Sequence, residues 1–330
     1  MRISVLIATF NRSALLDECL AWLGRQRFEP GDEVIVVDNG STDSTPSVIQ
    51  RHARTFPVPL RTLDEPRPGK SIAIARALAA ASGEVFAFTD DDVNVGARWL
   101  QELRATMGSE VALVGGRVLP RWERQPPRWL AENGPRGRLA SPVAVADYGP
   151  LPIELGDRTA MGCNMAVHRT VIDRLGGFAP DLGSIRGTLL TGEDHEFTRR
   201  VQAAGLRAMY QPSAVVYHWV PFSRMRIRYF LRWFFWSGVT EVVLERTIPS
   251  FYAVSPARRN LPREFVSGIV RGGIDFLARR QADAALHLMD ASCALGRMLQ
   301  HGRDWWNGAG GQAKEQPRPA EYLVSDIGRQ

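Results

Sequence analysis

The sequence predicts an α/β protein with a Rossmann-like, mainly parallel, doubly wound sheet and a helical C-terminal extension. Three observations carry this. Apolar runs of strand length alternate with amphipathic stretches of helix length over roughly the first 110 residues. The strand ends place polar residues on one common edge: Thr9 and Asn11, then Asp38, then Asp90, Asp91 and Asp92. In an open α/β sheet that edge is where ligands bind. Past Val220 the spacing becomes mainly helical, to about residue 303.

The elements follow in order. Residues 3–9 are a near-continuous apolar run, and Ser13 is expected to cap a helix over residues 13–26 with Leu15, Leu16, Cys19, Leu20 and Leu23 on its inner face. Residues 33–37 read as a second buried strand, closed by a turn rich in Asn, Gly, Ser and Asp. A helix to about residue 54, a weaker strand at 60–63, a Pro-Gly loop and an Ala-rich helix at 71–81 come next. Residues 85–89 form the strand that runs into Asp90, Asp91 and Asp92. Beyond it, residues 111–115 are expected as a strand, 117–152 as a Pro-, Gly-, Arg- and Trp-rich loop or lid, and 162–167 as a short strand. A helix over 197–204 and a strand ending near His218 complete the α/β part. The expected organisation is residues 1–220, in halves 1–115 and 116–220, then a helical region 221–303 and a disordered tail 304–330.

Of the 330 residues, 45% are hydrophobic, enough for one large domain or one domain with an appendage. No run reaches the roughly 18–20 apolar residues that span a bilayer, and the N-terminus does not read as a secretory leader. Cys19, Cys163 and Cys293 fit neither a disulfide framework nor a zinc spacing, which points to a reducing, cytoplasmic setting. The formal net charge is +6, nearly all of it arginine. From Val220 to Gln281 eleven arginines stand against four acids, and Arg224, Arg228 and Arg232 share helical spacing with Met225, Tyr229, Trp233 and Trp236. Such a helix either lies on an anionic membrane surface or packs its aromatic face on the α/β domain. A nucleic-acid partner is not expected, because the basic stretch lies on one helix and carries no reader motif.

Two acidic clusters carry the chemistry. Three adjacent carboxylates repel one another, so a fold that gathers them brings a cation or leaves them as a solvated turn. Oxygen ligands suit Mg²⁺ or Mn²⁺, above all when a substrate diphosphate completes the shell. The second cluster, Glu193 and Asp194 with Glu196, opens a helix, where carboxylates also act as caps. His218 suits a metal ligand, an acid or base, or a structural group. For a nucleotide-sugar donor these parts fit together. A cation held by the triplet Asp90, Asp91 and Asp92 would neutralise the leaving diphosphate, and Asp194, with Glu193 beside it, is the candidate to deprotonate an acceptor hydroxyl. Attack opposite the leaving group inverts the anomeric centre. Asp38 suits a base ring or ribose hydroxyl, and Lys70 or Arg76 a phosphate. Neither a Gly-x-Gly-x-x-Gly nor a P-loop is present.

The motifs Ser4-Val-Leu-Ile-Ala-Thr-Phe-Asn-Arg12, Val36-Val-Asp-Asn-Gly-Ser-Thr-Asp43, Pro68-Gly-Lys70 with Arg76, Gly83-Glu84 with Thr89-Asp-Asp-Asp92, and Gly192-Glu-Asp194 occur in this order. Together they resemble the family 2 glycosyltransferases of GT-A fold, over roughly residues 1–220. The resemblance implies an inverting transfer from a nucleotide-diphosphate sugar, most often UDP-linked. It implies that Thr9, Asn11, Arg12 and Asp38 line the nucleotide pocket, with Lys70, Arg76, Asp90 and Asp91 also on the donor. It implies a divalent cation, Mg²⁺ or Mn²⁺, at Asp92, Asp90 and His218, with Asp92 a direct ligand, and Asp194 as base. Where the family commonly has Arg-Asn, this chain has Arg76-Ala77, so only the arginine carries over. Bacterial relatives build surface polysaccharides or glycoconjugates on saccharide or lipid-linked acceptors. The resemblance does not settle membrane attachment; the basic aromatic helix near Arg224 to Trp236 would suit a cytoplasmic enzyme that is peripheral on the inner face of the cell membrane. Two other readings compete. A sugar-phosphate nucleotidyltransferase requires a Gly- and Arg-rich loop after the first strand, which is missing. A non-catalytic nucleotide- or glycan-binding protein predicts a broken acidic set, and both clusters are intact.

Overall fold

A computed structural model describes residues 1–108, 110–132, 139–179, 182–183, 188–247 and 260–309. The chain divides into two compact units. One comprises residues 1–172, 177–188 and 192–225; the other comprises 173–176, 189–191 and everything from Arg226 onward.

The first unit opens with β1 (Ile3–Thr9), α1 (Ser13–Leu23), β2 (Glu33–Asp38), α2 (Thr45–Ala53), β3 (Leu60–Asp64), α3 (Lys70–Ala80) and β4 (Val85–Thr89). It continues with β5 (Val93–Val95), α4 (Trp99–Thr106), β6 (Leu113–Trp122), α5 (Arg128–Glu132), β7 (Ile153–Glu154) and β8 (Asn164–His168). The helix α6 (Arg169–Leu175) runs across the division, and α7 (Glu193–Ala203) and β9 (Ala208–Val220) close the unit. The strands form one sheet in the order β3-β2-β1-β4-β8-β6-β9-β5, with β7 on β9. As the alternation of apolar runs and helices requires, β1 to β4 pair in parallel. The later strands add antiparallel ladders, β4 with β8 and β5 with β9.

Strand residues alternate between two apolar faces. Ile3, Val5, Ile7, Val34 and Val36 pack with Leu16, Leu20 and Leu23 of α1 and Trp99 of α4 in one core. Leu6, Ile35, Val37, Phe86 and Phe88 are equally buried on the other face, where α3 lies against β1 and β2 through Ala73, Ile74 and Ala77. Sheet strands covered on both sides read as continuous hydrophobic runs, which is why these were legible.

Several expectations shift. Ser13 does not cap α1 but is its first helical residue; its N–H is taken by Asp43 Oδ2 at 3.1 Å. The segment 117–152 is not one loop: 117–122 continue β6 alongside β9, and Leu130, Val143 and Ala146 are buried. The helix expected over 197–204 starts earlier, at Glu193. Arg224 lies in a short 3-10 turn before the next helix rather than in it.

The register of β6 against β9 breaks between Gly116 and Arg117. Asn164 fills this bulge: its Oδ1 accepts the Trp99 indole N–H at 2.8 Å, and its Nδ2 donates to the carbonyls of Arg117 and Ala214 at 2.9 and 2.8 Å. A Cβ on Gly116 would stand 2.3 Å from both the Ala214 carbonyl and Asn164. Gly116→Ala is therefore expected to cost about 1–3 kcal/mol by overpacking, read from urea unfolding midpoints.

The second unit holds α8 (Ile227–Thr247), α9 (Leu261–Leu277) and α10 (Gln281–Ala309). α10 packs on both of the others. Arg297 of α10 bonds to Glu241 and, at 2.8 Å, to Glu245 of α8, so its buried charge is paired. α10 runs past residue 303 to Ala309, where a disordered tail was expected to have begun; the rest of that tail lies outside the described residues. Among the described residues no helix is long and apolar enough to cross a membrane.

Candidate active site

Parallel register puts Thr9 level with Asp38 and Leu6 level with Phe88, so β1, β2 and β4 end on one edge. The aspartates follow β4 there as a tight turn into β5. Each faces a different partner. Asp90 Oδ1 is 2.5 Å from Lys70 Nζ at the start of α3. Asp91 accepts from Thr9 Oγ1 at 2.8 Å and from Arg12 Nη1 at 2.8 Å. Asp92 Oδ2 accepts from the same Arg12 Nη1 at 2.9 Å, and its Oδ1 faces His218 Nε2 at 3.4 Å. His218 arrives from β9, because β5 pairs antiparallel with β9 and sets Val93 opposite His218. The Trp219 N–H donates to the Asp92 carbonyl at 2.9 Å and locks this approach.

Electrostatics sort the three carboxylates. Burial pushes Asp91 up to about 6, against the pull of Arg12. Burial alone would lower the pKa of Arg12, yet the aspartates outweigh it and hold the guanidinium above its ordinary value. Lys70 behaves alike, with Asp90 and Glu193 overcoming its burial. The His218 imidazole is pushed down by burial and so stands neutral, with a lone pair to offer.

The ligand atoms of Asp90, Asp92 and His218 lie within 4.8 Å of one another. The residues present fit a divalent cation. Asp92 Oδ1, which faces His218 Nε2, is buried with no hydrogen-bond partner, a cost that coordination would remove. Two carboxylates and an imidazole suit a first-row divalent ion such as Mn²⁺.

A cleft opens beside the aspartate turn, lined by Lys70, Thr89, Asp90, Gly162, Phe178 and Glu193. Two of its polar atoms, Thr89 Oγ1 and Glu193 Oε2, are shielded from solvent without a partner. Burial, with Asp194 adding to it, pushes the Glu193 carboxyl up to about 7. Asp194 is more firmly held: its Oδ2 accepts the Gly162 N–H at 3.2 Å and its Oδ1 the His195 N–H at 2.8 Å.

Glu193 therefore has a measurable signature. An acid whose pKa is higher folded than unfolded binds more protons when folded, so its stabilising share is full at low pH and lost as pH rises through about 7. Glu193→Gln is expected to gain stability relative to the parent between about pH 5 and about pH 8, read from urea midpoints. A difference that does not change with pH contradicts the assignment.

Other residues singled out by the sequence sit differently. Asn11 adopts φ +50°, and its Oδ1 accepts the Thr42 N–H at 2.7 Å, tying the loop after β1 to the loop after β2. Asp38 is buried and accepts the Ser41 N–H at 2.9 Å within that second loop. Arg12 turns its guanidinium to Asp91 and Asp92. Arg76 is exposed on α3, about 9 Å along the axis from Lys70, and its charge acts on Glu65. Sequence reasoning passed over Asn39, whose side chain binds the carbonyls of Glu65 and Arg67 at 2.7 Å each and the Gly69 N–H at 3.0 Å. It fixes the Pro-Gly loop that delivers Lys70; the turn composition around it had marked only a turn. Gly183, with φ +97°, packs on Ser71 and Glu193, and nothing local signals that contact.

Residues 4–176 match the family described as Glycosyl transferase family 2, which is more than half of the chain. The chain belongs to this family. Among relatives of the family 2 chain, glycosyltransferase AglE of Haloferax volcanii is 25% identical over 219 residues, covering 66% of each protein. A validoxylamine A glucosyltransferase of Streptomyces hygroscopicus subsp. limoneus is 38% identical over 106 residues, 31% of this chain and 23% of that enzyme. The family 2 chain thus spans just under two thirds of the first relative and about a quarter of the second. Among solved structures, the mannosyltransferase PcManGT of Pyrobaculum calidifontis, in complex with GDP-Man and Mn²⁺, superposes with a TM-score of 0.58 at 22% identity over 90% of this chain and 86% of that one. The likeness places the sheet in the GT-A class.

Proposed function

We propose that this protein is an inverting, metal-dependent glycosyltransferase that moves a sugar from a nucleoside-diphosphate sugar to an acceptor hydroxyl. One observation carries the reading: Asp90, whose carboxylate lies within 4.8 Å of the ligand atoms of Asp92 and His218, also lines the cleft that Glu193 lines and that Asp194 adjoins through the Gly162 N–H. Mn²⁺ or Mg²⁺ held by Asp90, Asp92 and His218 would supply charge neutralisation for the departing diphosphate, the imidazole favouring Mn²⁺. PcManGT was solved with GDP-Man and Mn²⁺, which supports a diphosphate donor with such an ion.

The chain's own groups do the rest. Lys70 points its ammonium into the cleft beside Asp90, where it can follow a phosphate oxygen as charge builds. Thr9, Asn11, Arg12 and Asp38 shape the nucleoside side: Asn11 and Asp38 hold the two loops, and Arg12 keeps Asp92 aimed. Thr89 Oγ1 and Glu193 Oε2 await the hydroxyls of a donor sugar. Asp194, oriented by two backbone N–H groups, accepts the proton of the acceptor hydroxyl as the new glycosidic bond forms. Attack from that side, opposite the diphosphate, inverts the anomeric carbon. The donor is UDP-linked, as the family resemblance implies, and the acceptor is a saccharide or lipid-linked intermediate of bacterial surface glycoconjugate assembly. The work is done in the cytoplasm, at the inner face of the membrane.

The test is incubation with UDP-, GDP- and dTDP-linked sugars, each with Mn²⁺ and with a chelator, scored by nucleoside diphosphate release and by the anomeric coupling of the product. Release of pyrophosphate instead, retention of configuration, or full turnover in the chelator would each overturn a stated part of the reading.

A further inference from the structure

The helix α9 is built inside out. Its inner side is thin: Gly268 and Gly272 lie against α10, where a Cβ on Gly268 would stand 2.7 Å from the His287 carbonyl. Its apolar side points away. Val266, Ile269, Val270, Ile274, Phe276 and Leu277 are each 47–83% exposed. At 3.6 residues per turn they span about 160° of the circumference, the width of a full core-facing stripe. A stripe of that size on a soluble protein marks a surface that meets something.

Charge says what it meets. Arg263, Arg271 and Arg279 are exposed on or beside the stripe. The acid in the body of this helix, Asp275, is turned inward and buried, paired with Arg280 and with His287 at 3.3 Å. Glu264 sits half-buried in the first turn. The outer face therefore combines a continuous apolar strip with cationic flanks and hides its carboxylate. Trp305 and Trp306, each 73% exposed, add interfacial aromatic side chains on α10 of the same unit. The aromatic residues of α8 are less available: Phe230 and Phe234 are buried, and Tyr229, Trp233 and Trp236 are half-buried.

We propose that α9 is an in-plane membrane anchor that lays this stripe into the headgroup region of a bilayer containing anionic lipid. Aliphatic side chains enter the acyl boundary while the arginines meet lipid phosphates. An apolar partner protein would have no need of the arginine flanks, and an RNA would have no use for the stripe.

The full chain is sedimented with vesicles of phosphatidylcholine alone and with phosphatidylglycerol added, without substrate, so the outcome is independent of the catalytic reading. Binding is expected to the anionic vesicles, weakened by salt. Val270→Asp with Ile274→Asp is expected to lower it at least tenfold, and Arg263→Gln with Arg271→Gln to lower it mainly at low salt. Both pairs are exposed, and unchanged circular dichroism and thermal midpoints confirm folding. The proposal is overturned by absence of vesicle binding, or by binding that the aspartate pair leaves intact. It is equally overturned if light scattering shows a dimer that the pair dissolves, which would assign the stripe to a second copy. A fall in the thermal midpoint of the pair without vesicle binding by the parent would assign it to another part of this chain.

Discussion

Asp194→Asn is expected to lower kcat by about 10²- to 10⁴-fold while leaving donor binding near that of the parent, because only the proton-accepting function is removed. The substitution is close to isosteric. The amide oxygen keeps one of the two backbone N–H bonds, from Gly162 or from His195, and the amide nitrogen cannot accept the other. That loss is worth about 1 kcal/mol of stability and does not account for the expected rate effect. Single-turnover rates at saturating donor separate the step from binding. The neighbouring Glu193→Gln provides the control. Glu193 lies in the cleft, unpaired at Oε2, and its carboxyl titrates near 7. As a sugar-binding group it is expected to raise KM for the donor more than it lowers kcat. If instead Glu193→Gln abolishes turnover and Asp194→Asn retains it, the roles of the two carboxylates are exchanged.

What the sequence disclosed about this site depends on the distance over which each part is encoded. The aspartates are consecutive, follow a buried strand and sit on the edge shared with Thr9 and Asp38, so local pattern sufficed to find them. Their division of labour did not show, since it depends on Arg12, some 80 positions earlier, and on Lys70 at the start of α3. His218 was nameable from its motif, yet its approach to Asp92 is set by β5, which escaped notice. Val93-Asn94-Val95 is too short and too close to the acidic turn to read as a strand. The extension of β6 was hidden in the same way. The strand was expected to end at Gly115 and Pro120 fell in the expected loop, whereas Gly116 makes room for Asn164 and the strand runs on beside β9. In the second unit the sequence drew attention to the aromatic spacing of α8. The outward stripe of α9 emerges only once Gly268 and Gly272 are seen to face α10, because small residues attract no notice in a hydrophobic pattern.

Asp92→Ala separates a ligand from a scaffold within one turn. Removing a carboxylate from a site that neutralises a leaving diphosphate is worth several kcal/mol, so Mn²⁺-dependent binding of the nucleoside diphosphate and the transfer rate are each expected to fall about 10²- to 10⁴-fold. Folding is expected to persist. Arg12 keeps Asp91 at 2.8 Å, and Thr9 keeps the same carboxylate at 2.8 Å, so no buried cation is stranded. His218 loses its facing carboxylate and gains room, and its neutral state requires no counter-charge. Asp91→Ala is expected to do the reverse. It leaves the Thr9 hydroxyl unpaired and Arg12 with Asp92 alone, so thermal stability falls first and metal affinity follows. Arg12→Gln lies between them. Its loss frees Asp92 Oδ2 without removing a ligand, and metal affinity is expected to drop about 10- to 100-fold, the range of an outer-shell change. Titration of Mn²⁺ and nucleoside diphosphate into the three variants, with a thermal melt of each, distinguishes them. Equal metal affinity in Asp92→Ala and the parent would move the cation away from this turn. Loss of affinity in Asp91→Ala with an unchanged melting temperature would make Asp91, not Asp92, the ligand, and would require its carboxylate to leave Arg12 when the ion enters.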